Sequence, residues 1–330
     1  MKKIISFFKT DVKIINSYFL LAVILIILIS IGYSSYALFS FTKTSTNVIE
    51  GTVGELKKSG TDTLIKLTDN KDNSGLYTIT HEADNTLQIG ATESITEYRY
   101  RGASPKNYVT FNNETWRIIG VFPTDDGTGK IENRIKIIRN ESIGNKYWTT
   151  VNNNWTIASL NEYLNGTYYS SLSSKAQSMI KDTKYYLGGY QSGSTTSVDM
   201  YSYERKRKGY GTYYYADNPN SWIGKIALMY VSDYGYASDV CETKKLYDTT
   251  TTDLQACNNT NWLYKGAYEW LLPQYASVID RVFLVLSVGG VATNIADKYQ
   301  RGVRPVLYLT SDAKITGGSG TSSSPYTLGL

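Results

Sequence analysis

The sequence predicts an α+β domain that follows an N-terminal transmembrane helix. An uncharged, apolar stretch begins at Tyr18 and ends at Phe39. Runs with β-strand patterning occur at residues 98–139 and again at 270–309, and two short helical patterns lie between them at 159–181. Strands that precede a group of helices are typical of an α+β arrangement and not of a repeated βαβ unit.

The apolar stretch has the length of a membrane-spanning helix. At about 1.5 Å per residue it reaches roughly 33 Å, and a bilayer core is roughly 30 Å thick. Residues 1–17 precede it and contain four lysines and one aspartate: Lys2, Lys3, Lys9, Lys13 and Asp11. An excess of lysine stays in the cytoplasm, so residues 1–17 are predicted to be cytoplasmic and the rest of the chain to lie outside.

A cleaved signal peptide is the alternative for the same stretch. The small residues Ser35 and Ala37 fit a cleavage site after Ala37. The bulky neighbours Tyr36 and Leu38, and an apolar run longer than is usual for signal peptides, favour a retained anchor.

Residues 40–96 are rich in Thr, Ser, Gly and Lys and are predicted to form a stalk with one short helix and one strand, the strand at 76–80. A calcium-loop pattern begins at Asn70, but its twelfth position is His81 instead of a carboxylate, so a turn is the better interpretation. His81 has no partner His or Cys at ligand spacing, and no metal site is predicted.

The first strands are predicted within residues 98–139. Val109 and Phe111 alternate with polar residues, Asn112 and Asn113 supply a turn, and 116–122 is a nearly continuous apolar run. A second turn at 125–129 leads to a strand at 134–139.

Two helices follow. Ser159 and Glu162 have the spacing of a capping box, and Gly166 is a stop signal. A second helix is predicted at 172–181, with Leu172, Ala176, Met179 and Ile180 facing the core.

Residues 185–268 show little periodicity and are predicted to form long, irregular loops with ordered core only at 223–231. They include a basic run at 205–208, interpreted as a solvated loop or as a contact for an anionic wall polymer. They also include both cysteines of the chain, Cys241 and Cys257, which are predicted to form a disulfide that closes a polar loop.

Three apolar, β-branched runs complete the domain at 270–272, 282–288 and 303–309, and a short strand begins at Tyr326. Pro305 cannot donate a ladder hydrogen bond, which predicts an edge or a bulge at that point.

The order of several motifs resembles a known family. YRYRG, NYVTFNNETWRIIGVF, SLNEYLNGTYYSSL, WLLPQ and GVRPVLYLTSDAKITGGSGTSSSPYTL together look like uncharacterised Tyr- and Asn-rich surface proteins of low-GC Gram-positive bacteria, over residues 97–330. The closing strand at 302–309 is similar to that of C-type-lectin-like domains of the formylglycine-generating-enzyme type. The resemblance implies a small twisted antiparallel sheet, two short helices and long irregular loops. It does not imply the activity of the formylglycine-generating enzymes. Those enzymes use two cysteines close together near the last strands, whereas Cys241 and Cys257 are far apart in a loop.

Composition limits the function classes. The net charge of +5, of which the N-terminal residues carry most, does not suit nucleic-acid binding. With one His and scattered acidic residues, no catalytic residue and no cofactor are predicted. The preferred function is a membrane-anchored surface protein that binds a glycan, a wall polymer or a protein. A structural subunit of a surface layer or fibre, and an extracellular hydrolase that uses a carboxylate pair, are the alternatives.

The ligand is expected on the irregular loops, because loops on a rigid scaffold usually hold binding residues. Aromatic residues flanked by Gly, Asp and Asn have no periodic apolar face in which to be buried. The predicted contacts of this kind are Tyr213, Tyr214, Tyr215 and Trp222. The lectin-like resemblance implies that Asn294 and Tyr299, in the segment before the last strand, lie nearby, and they are predicted contacts as well. Replacing Tyr214 or Trp222 by alanine is expected to weaken binding and to leave the thermal midpoint nearly unchanged.

Overall fold

The computed structural model of the protein describes residues 21, 24–28, 59–68, 76–190, 196–246 and 251–330. The chain divides into two compact units, Met1–Lys57 and Lys58–Leu330. In the first unit residues 21 and 24–28 are helical, and most of the predicted span between Tyr18 and Phe39 lies outside the described residues. No helix formed by the described residues is both long enough and apolar enough to cross a bilayer.

The second unit is a mixed α/β structure in which antiparallel sheets predominate. Its strands in chain order are β1 (Tyr77–His81), β2 (Ile95–Arg99), β3 (Tyr108–Phe111), β4 (Glu114–Asp125), β5 (Ile131–Arg139), β6 (Asn145–Lys146), β7 (Thr183–Tyr186), β8 (Ser221–Gly224), β9 (Ile226–Ala227), β10 (Glu269–Gln274), β11 (Arg281–Val285), β12 (Val291–Ile295), β13 (Arg301–Gly302), β14 (Val306–Tyr308), β15 (Lys314–Gly317) and β16 (Thr327–Gly329).

The helices are short. They are α1 (Gly60–Ile65), α2 (Ser159–Tyr163), α3 (Ser174–Ser178), α4 (Ser197–Glu204), α5 (Val231–Tyr236), α6 (Asp239–Glu242) and α7 (Thr251–Thr260). A 3-10 turn at Trp155–Ile157 precedes α2.

The largest sheet has the order β1-β2-β4-β5-β14-β9, and β3 pairs with β4 outside this path. The predicted hairpin is present, because Asn112 and Asn113 adopt φ angles of 52° and 59° and so form the tight turn between β3 and β4. Gly120 allows β2 to approach β4 closely, since a Cβ atom at this position would lie 2.0 Å from the carbonyl oxygen of Tyr98. The long β4–β5 pair forms the centre of this sheet.

The second sheet has the order β12-β11-β10-β13-β6, and its β10–β13 pair is parallel. The chain changes sheets at residues 303–305, because β13 belongs to the second sheet and β14 to the first. The sequence predicted a strand edge or a bulge at Pro305; instead Pro305 lies in the connection between these two strands, and its carbonyl oxygen accepts a hydrogen bond from Arg139 N. One short chain segment therefore connects the two sheets.

Part of the predicted stalk belongs to the folded unit. β1 is paired with β2 along its full length, and the amide of Gly60 in α1 donates a hydrogen bond to Ala313 O at 2.7 Å. Leu64, Leu76 and Ile79 are buried. Residues 40–96 are polar overall, so the sequence did not predict that these apolar side chains would pack α1 and β1 into the folded unit.

Helix α2 differs from its prediction at both ends. Its N-cap is Ala158, which makes no side-chain hydrogen bond, so the predicted capping box of Ser159 and Glu162 is absent. Gly166 does not end the helix, which continues as a π turn (Leu164–Tyr168) and a last α turn (Tyr169–Ser171). Within the π turn, Asn165 accepts hydrogen bonds from Lys225 N and Ile226 N. Tertiary hydrogen bonds therefore hold the helix together across the glycine.

The segment predicted to be irregular contains four helices, α4 to α7, and the strand pair β7–β8. The predicted disulfide between Cys241 and Cys257 is present and connects α6 to α7. Both cysteines are buried in the main apolar core. The bond therefore fastens two helices to the core and does not only close a polar loop.

Candidate functional site

The predicted contact residues Tyr213 to Tyr215 lie on a loop of residues 209–218, here called the tyrosine loop. Hydrogen bonds hold this loop against the second sheet. Tyr215 N donates to Oε1 of Gln274 at 2.9 Å, and Asn218 Nδ2 donates to the same oxygen at 2.8 Å. The loop is thus fixed by a side chain of β10 although it has no regular secondary structure.

Three partly exposed tyrosine rings are stacked beside the tyrosine loop. Tyr203 lies between Tyr190, at a centroid distance of 5.0 Å, and Tyr213, at 4.6 Å. Burial raises the pKa of Tyr203 to about 12, so its hydroxyl is protonated at neutral pH. Both faces of the Tyr203 ring are covered by the other two rings. A ligand could therefore contact the outer faces of Tyr190 and Tyr213 and the edges of all three rings.

Trp222 has the contacts of a residue at the margin of the core. Its ring is partly buried and lies 5.7 Å from Tyr185 and 6.1 Å from Trp155. It also covers Gly224, where an added Cβ atom would lie 1.9 Å from the indole. Substitution of Trp222 is therefore expected to lower stability, contrary to the expectation from the sequence, and a role in ligand contact stays a prediction.

Asn294 and Tyr299 lie in different places relative to the tyrosine loop. Asn294 in β12 pairs with Val282 in β11, and Val282 pairs with Gln274 in β10. Asn294 is therefore two strands, or about 10 Å, away from Gln274, which holds the tyrosine loop. Tyr299 precedes β13, which pairs with β10 at Glu269, the opposite end from Gln274. Five residues of strand separate these ends by roughly 17 Å. The six predicted residues therefore do not form one site.

Tyr299 belongs to a second surface that sequence reasoning did not assemble. It surrounds the pair β6–β13 and is here called the Tyr299 surface. Its members are Lys146, Tyr147, Tyr163, Tyr268, Lys298, Tyr299, Gln300 and Arg301.

A groove of about 310 Å³ opens on the Tyr299 surface. Tyr147, Tyr163 and Gln300 line it together with Lys146, Asn145, Thr150, Ser159 and Leu160. Three tyrosines of the surface are notably exposed: Tyr147 by 40%, Tyr268 by 41% and Tyr299 by 37%. The groove thus combines aromatic rings with amide, hydroxyl and ammonium groups.

Buried tryptophans hold the backbone of the Tyr299 surface in place. The indole of Trp270 donates a hydrogen bond to Lys146 O at 2.8 Å, and the indole of Trp148 donates to Leu271 O at 3.0 Å. Both tryptophans are fully buried. Exposed side chains of this surface therefore stand on strands that the core keeps rigid.

The basic run at 205–208 is not the solvated loop that the sequence predicted. Arg205 is buried and forms an ion pair with Glu204 at 3.0 Å, and Lys206 pairs with Asp84 at 3.3 Å. Lys208 remains exposed, 5.3 Å from the centre of the Tyr214 ring. Two of the four cations are therefore engaged within the protein.

Arg205 is part of a buried charge cluster that the sequence did not reveal. Its six members are Glu97, Arg99, Lys136, Glu204, Arg205 and Asp233, all nearly inaccessible to solvent. Arg99 bridges Glu97 at 2.7 Å and Asp233 at 3.0 Å, and Lys136 Nζ contacts Asp233 Oδ2. The three cations and three carboxylates compensate one another.

Burial dominates the titration of the charge cluster. It raises the pKa of Glu204 to about 7, although Arg205 and Ser232 oppose this shift. It lowers the pKa of Lys136 to about 8, against the effect of Asp233. For Asp233 burial alone would raise the pKa, but Lys136 and Arg99 outweigh it and the pKa is lowered.

The charge cluster lacks room for a substrate. The adjoining cavity, which Glu97, Tyr186 and Arg205 help to line, has a volume of about 10 Å³, enough for about one water molecule. His81 approaches Glu97 at 3.3 Å and stacks on Tyr201 at 3.4 Å. Within the described ranges no group of three or more His, Cys, Asp or Glu side chains could hold a metal ion.

A weak sequence signal could have identified the Tyr299 surface. Lys146–Tyr147 and Lys298–Tyr299 are two Lys-Tyr pairs, each within a polar segment before or after a strand. Their proximity depends on the pairing of β6 with β13, two strands of two residues each that lie more than 150 residues apart in the chain. Periodicity cannot detect strands of that length.

The fold and its surfaces thus define a mixed α/β domain in which antiparallel sheets predominate, with a groove that is lined in part by Tyr147 and Tyr163. The chain belongs to the family described as a domain of unknown function (DUF6273), whose model matches residues 132–311. The matched region begins in β5, ends just after β14 and includes most of the Tyr299 surface. No curated protein and no solved structure matches the chain.

Proposed function

We propose that the protein is a bacterial surface protein that binds a polysaccharide of the cell surface at the groove of the Tyr299 surface. The single observation that carries this proposal is a groove of about 310 Å³ that is lined by the exposed Tyr147 and the partly exposed Tyr163, beside strands whose backbone is held by buried tryptophans. Residues 18–39 would anchor the protein in the membrane, with the C-terminal unit outside.

The chemistry of the groove suits a sugar. Tyrosine presents a flat apolar ring and a polar hydroxyl, so it can cover the apolar face of a sugar and still bind water or a sugar hydroxyl. Asn145, Thr150, Ser159 and Gln300 add donors and acceptors along the groove. Because the rings are held by the strand pair and its tryptophans, little conformational entropy is lost on binding.

The lining of the groove favours binding over hydrolysis. Glycoside hydrolysis generally requires two carboxyl groups on either side of the scissile bond. The residues that line this groove include lysine, amides and hydroxyls but no carboxylate. A binding module is therefore the better interpretation of this surface.

A C-type-lectin-like fold is part of the proposal. Its support is the predominance of antiparallel strands, the short helices and the late strand β14, which returns to pair with β5 in the central sheet. These features agree with the resemblance in the sequence, and a scaffold of this kind leaves its surface loops and grooves available for recognition.

The test is binding of the full chain to an array of bacterial surface polysaccharides, with variants Tyr299→Ala and Tyr163→Ala. Each is expected to weaken binding at least about tenfold, equivalent to about 1.4 kcal/mol, because each removes a ring beside the groove. Tyr299 is 37% exposed, so Tyr299→Ala is expected to change the thermal midpoint little. Tyr163 packs partly against the apolar core, so Tyr163→Ala is expected to lower the midpoint as well, and binding is compared at a temperature at which both variants are folded.

Tyr214→Ala is the matched control, since it removes a partly exposed tyrosine from the tyrosine loop. If Tyr214→Ala abolishes binding while Tyr299→Ala does not, the ligand lies on the tyrosine loop and the proposed groove is wrong. Binding to proteins but to no polysaccharide would overturn the ligand class.

A further inference from the structure

Two cations lie directly opposite each other at the edge of the second sheet. Lys146 and Arg301 are register partners in the antiparallel pair β6–β13. Partner Cα atoms in such a pair are about 4.5–5.5 Å apart and their side chains lie on the same face. Like charges at directly opposed positions destabilise a strand pair, so this arrangement opposes the stability of the fold.

Tyrosine rings hold each cation. The ammonium group of Lys146 lies 3.9 Å from the centre of the Tyr163 ring. The guanidinium of Arg301 lies 4.4 Å from the centre of the Tyr268 ring and 5.0 Å from that of Tyr299. These contacts orient the cations and restrict their side chains without neutralising their charge.

The two cations have no carboxylate partner in the part of the chain that the structure describes. Arg301 Nε is, in addition, buried without a hydrogen-bond acceptor. Lys298 adds a third cation, 5.6 Å from the centre of the Tyr299 ring, and Asp297 is the acidic residue of the same exposed segment. An excess of positive charge therefore lies next to the groove.

We infer that the polysaccharide bound at the Tyr299 surface carries anionic groups, and that one of them binds between Lys146 and Arg301. This inference rests on the proposed function and specifies its ligand. An anion between the opposed cations would remove their repulsion. The neighbouring tyrosine rings would contact the sugars on either side, so that charge and ring stacking together select an anionic polysaccharide over a neutral one.

Dextran and dextran sulfate of equal chain length test the inference, because they share one sugar backbone and differ in charge. The full chain is expected to bind dextran sulfate at least about tenfold more tightly than dextran at low ionic strength, and added salt should reduce this preference. Arg301→Gln and Lys146→Gln are each expected to weaken dextran sulfate binding about fivefold or more. Neither should lower the thermal midpoint, since each removes one of two repelling charges.

Lys175→Gln is the charge-matched control, because Lys175 is an exposed lysine of α3 outside the surface. It is expected to leave binding within about twofold of the wild type; an equal loss in this variant would show attraction by net charge only and overturn the inference. Equal binding of both polymers, sensitive to Tyr299→Ala but not to Arg301→Gln, would overturn it too and leave the proposed function standing. If neither these polymers nor any array polysaccharide binds, the proposed function itself fails.

Discussion

At the scale of single residues, the charge cluster is the most unusual feature of the molecule. Burial of six ionisable side chains is tolerated because each carboxylate contacts at least one cation. Removing one partner of such a pair typically costs about 3–5 kcal/mol, since the remaining charge is left buried and unpaired. Glu204 differs from the other carboxylates of the cluster because its pKa is raised to about 7.

The pKa of Glu204 predicts a specific pH dependence. In the unfolded chain this carboxyl has its usual pKa of 4.5, so the folded state binds the proton more tightly. The stabilising contribution is complete below pH 4.5 and is lost as the pH rises to about 7, which amounts to about 3 kcal/mol. The free energy of unfolding, measured by denaturant titration across this range, should therefore fall more steeply with pH in the wild type than in Glu204→Gln.

Comparing the slopes of wild type and variant isolates the contribution of Glu204, because all other ionisable groups are the same in both proteins. Glu204 accepts hydrogen bonds from Ser232 N and Ser232 Oγ on its two oxygens. In Glu204→Gln the carbonyl oxygen can accept one of them, and the NH2 group can donate to Ser232 Oγ in place of the other. Parallel curves for the two proteins would show that Glu204 is ionised throughout the range.

The residues of the charge cluster could not be predicted from the sequence. Glu97, Lys136 and Asp233 lie on three elements far apart in the chain, and each is an ordinary charged residue in its own segment. Tyr299 was predicted as a contact residue, but Lys146 and Arg301 were not. Their relation arises only from the pairing of two-residue strands.

At the scale of elements, the disulfide joins two helices that are otherwise weakly attached to the sheets. Cys241 in α6 and Cys257 in α7 have Cα atoms 4.9 Å apart. Asn261, just after α7, donates hydrogen bonds to Tyr234 O and to Cys241 Sγ. The covalent bond and these hydrogen bonds hold α5, α6 and α7 together.

Cys241→Ser is expected to lower the free energy of unfolding by about 3 kcal/mol, because the cross-link restricts the unfolded chain. Hydrogen exchange should rise most in α7, whereas the β4–β5 pair should remain protected. Denaturant titration and exchange mass spectrometry measure the two effects, and reduced wild-type protein is the control. An unchanged unfolding midpoint, or two reactive thiols in the native protein, would contradict the prediction.

Prediction from the sequence succeeded where an element carries its own pattern. The β3–β4 hairpin has alternating apolar residues and two asparagines in its turn. The helix predicted at 172–181 is shorter, since α3 spans Ser174–Ser178, but all four residues assigned to the core in this segment are buried: Leu172, Ala176, Met179 and Ile180. Prediction failed where tertiary contacts determine whether a helix forms or where it ends. Gly166 predicted the end of the helix, but Asn165 accepts a hydrogen bond from Ile226 N, and the helix continues. The sequence of α7 is polar and did not predict a helix; its contact with the core includes the disulfide.

At the scale of the whole molecule, the folded unit begins earlier than the sequence indicated. The second compact unit starts at Lys58, whereas the resemblance placed the start of the domain at Glu97. Residues 59–68 and 76–96 contribute α1, β1 and five buried aliphatic side chains: Leu64, Leu76, Ile79, Leu87 and Ile89. A family resemblance marks the shared part of a domain and not the extent of its core.

A chain that begins at Lys58 is expected to unfold at nearly the same temperature as the full-length protein. A chain that begins at Glu97 is expected to unfold at least roughly 10 °C lower, since burial of each lost aliphatic side chain is worth about 2 kcal/mol. Differential scanning calorimetry of both fragments makes the comparison. Equal midpoints for the two would mean that residues 58–96 add nothing to the core.

The place of β14 in the largest sheet affects the order of events during synthesis. β14 pairs with β5 on one side and with β9 on the other, and it is completed at Tyr308, near the end of the chain. A ribosome that adds about 5–20 residues per second needs roughly ten seconds or more to progress from β5 to β14. During this interval β5 presents an open edge to other nascent chains, and the sheet is completed only after β14 has been translated.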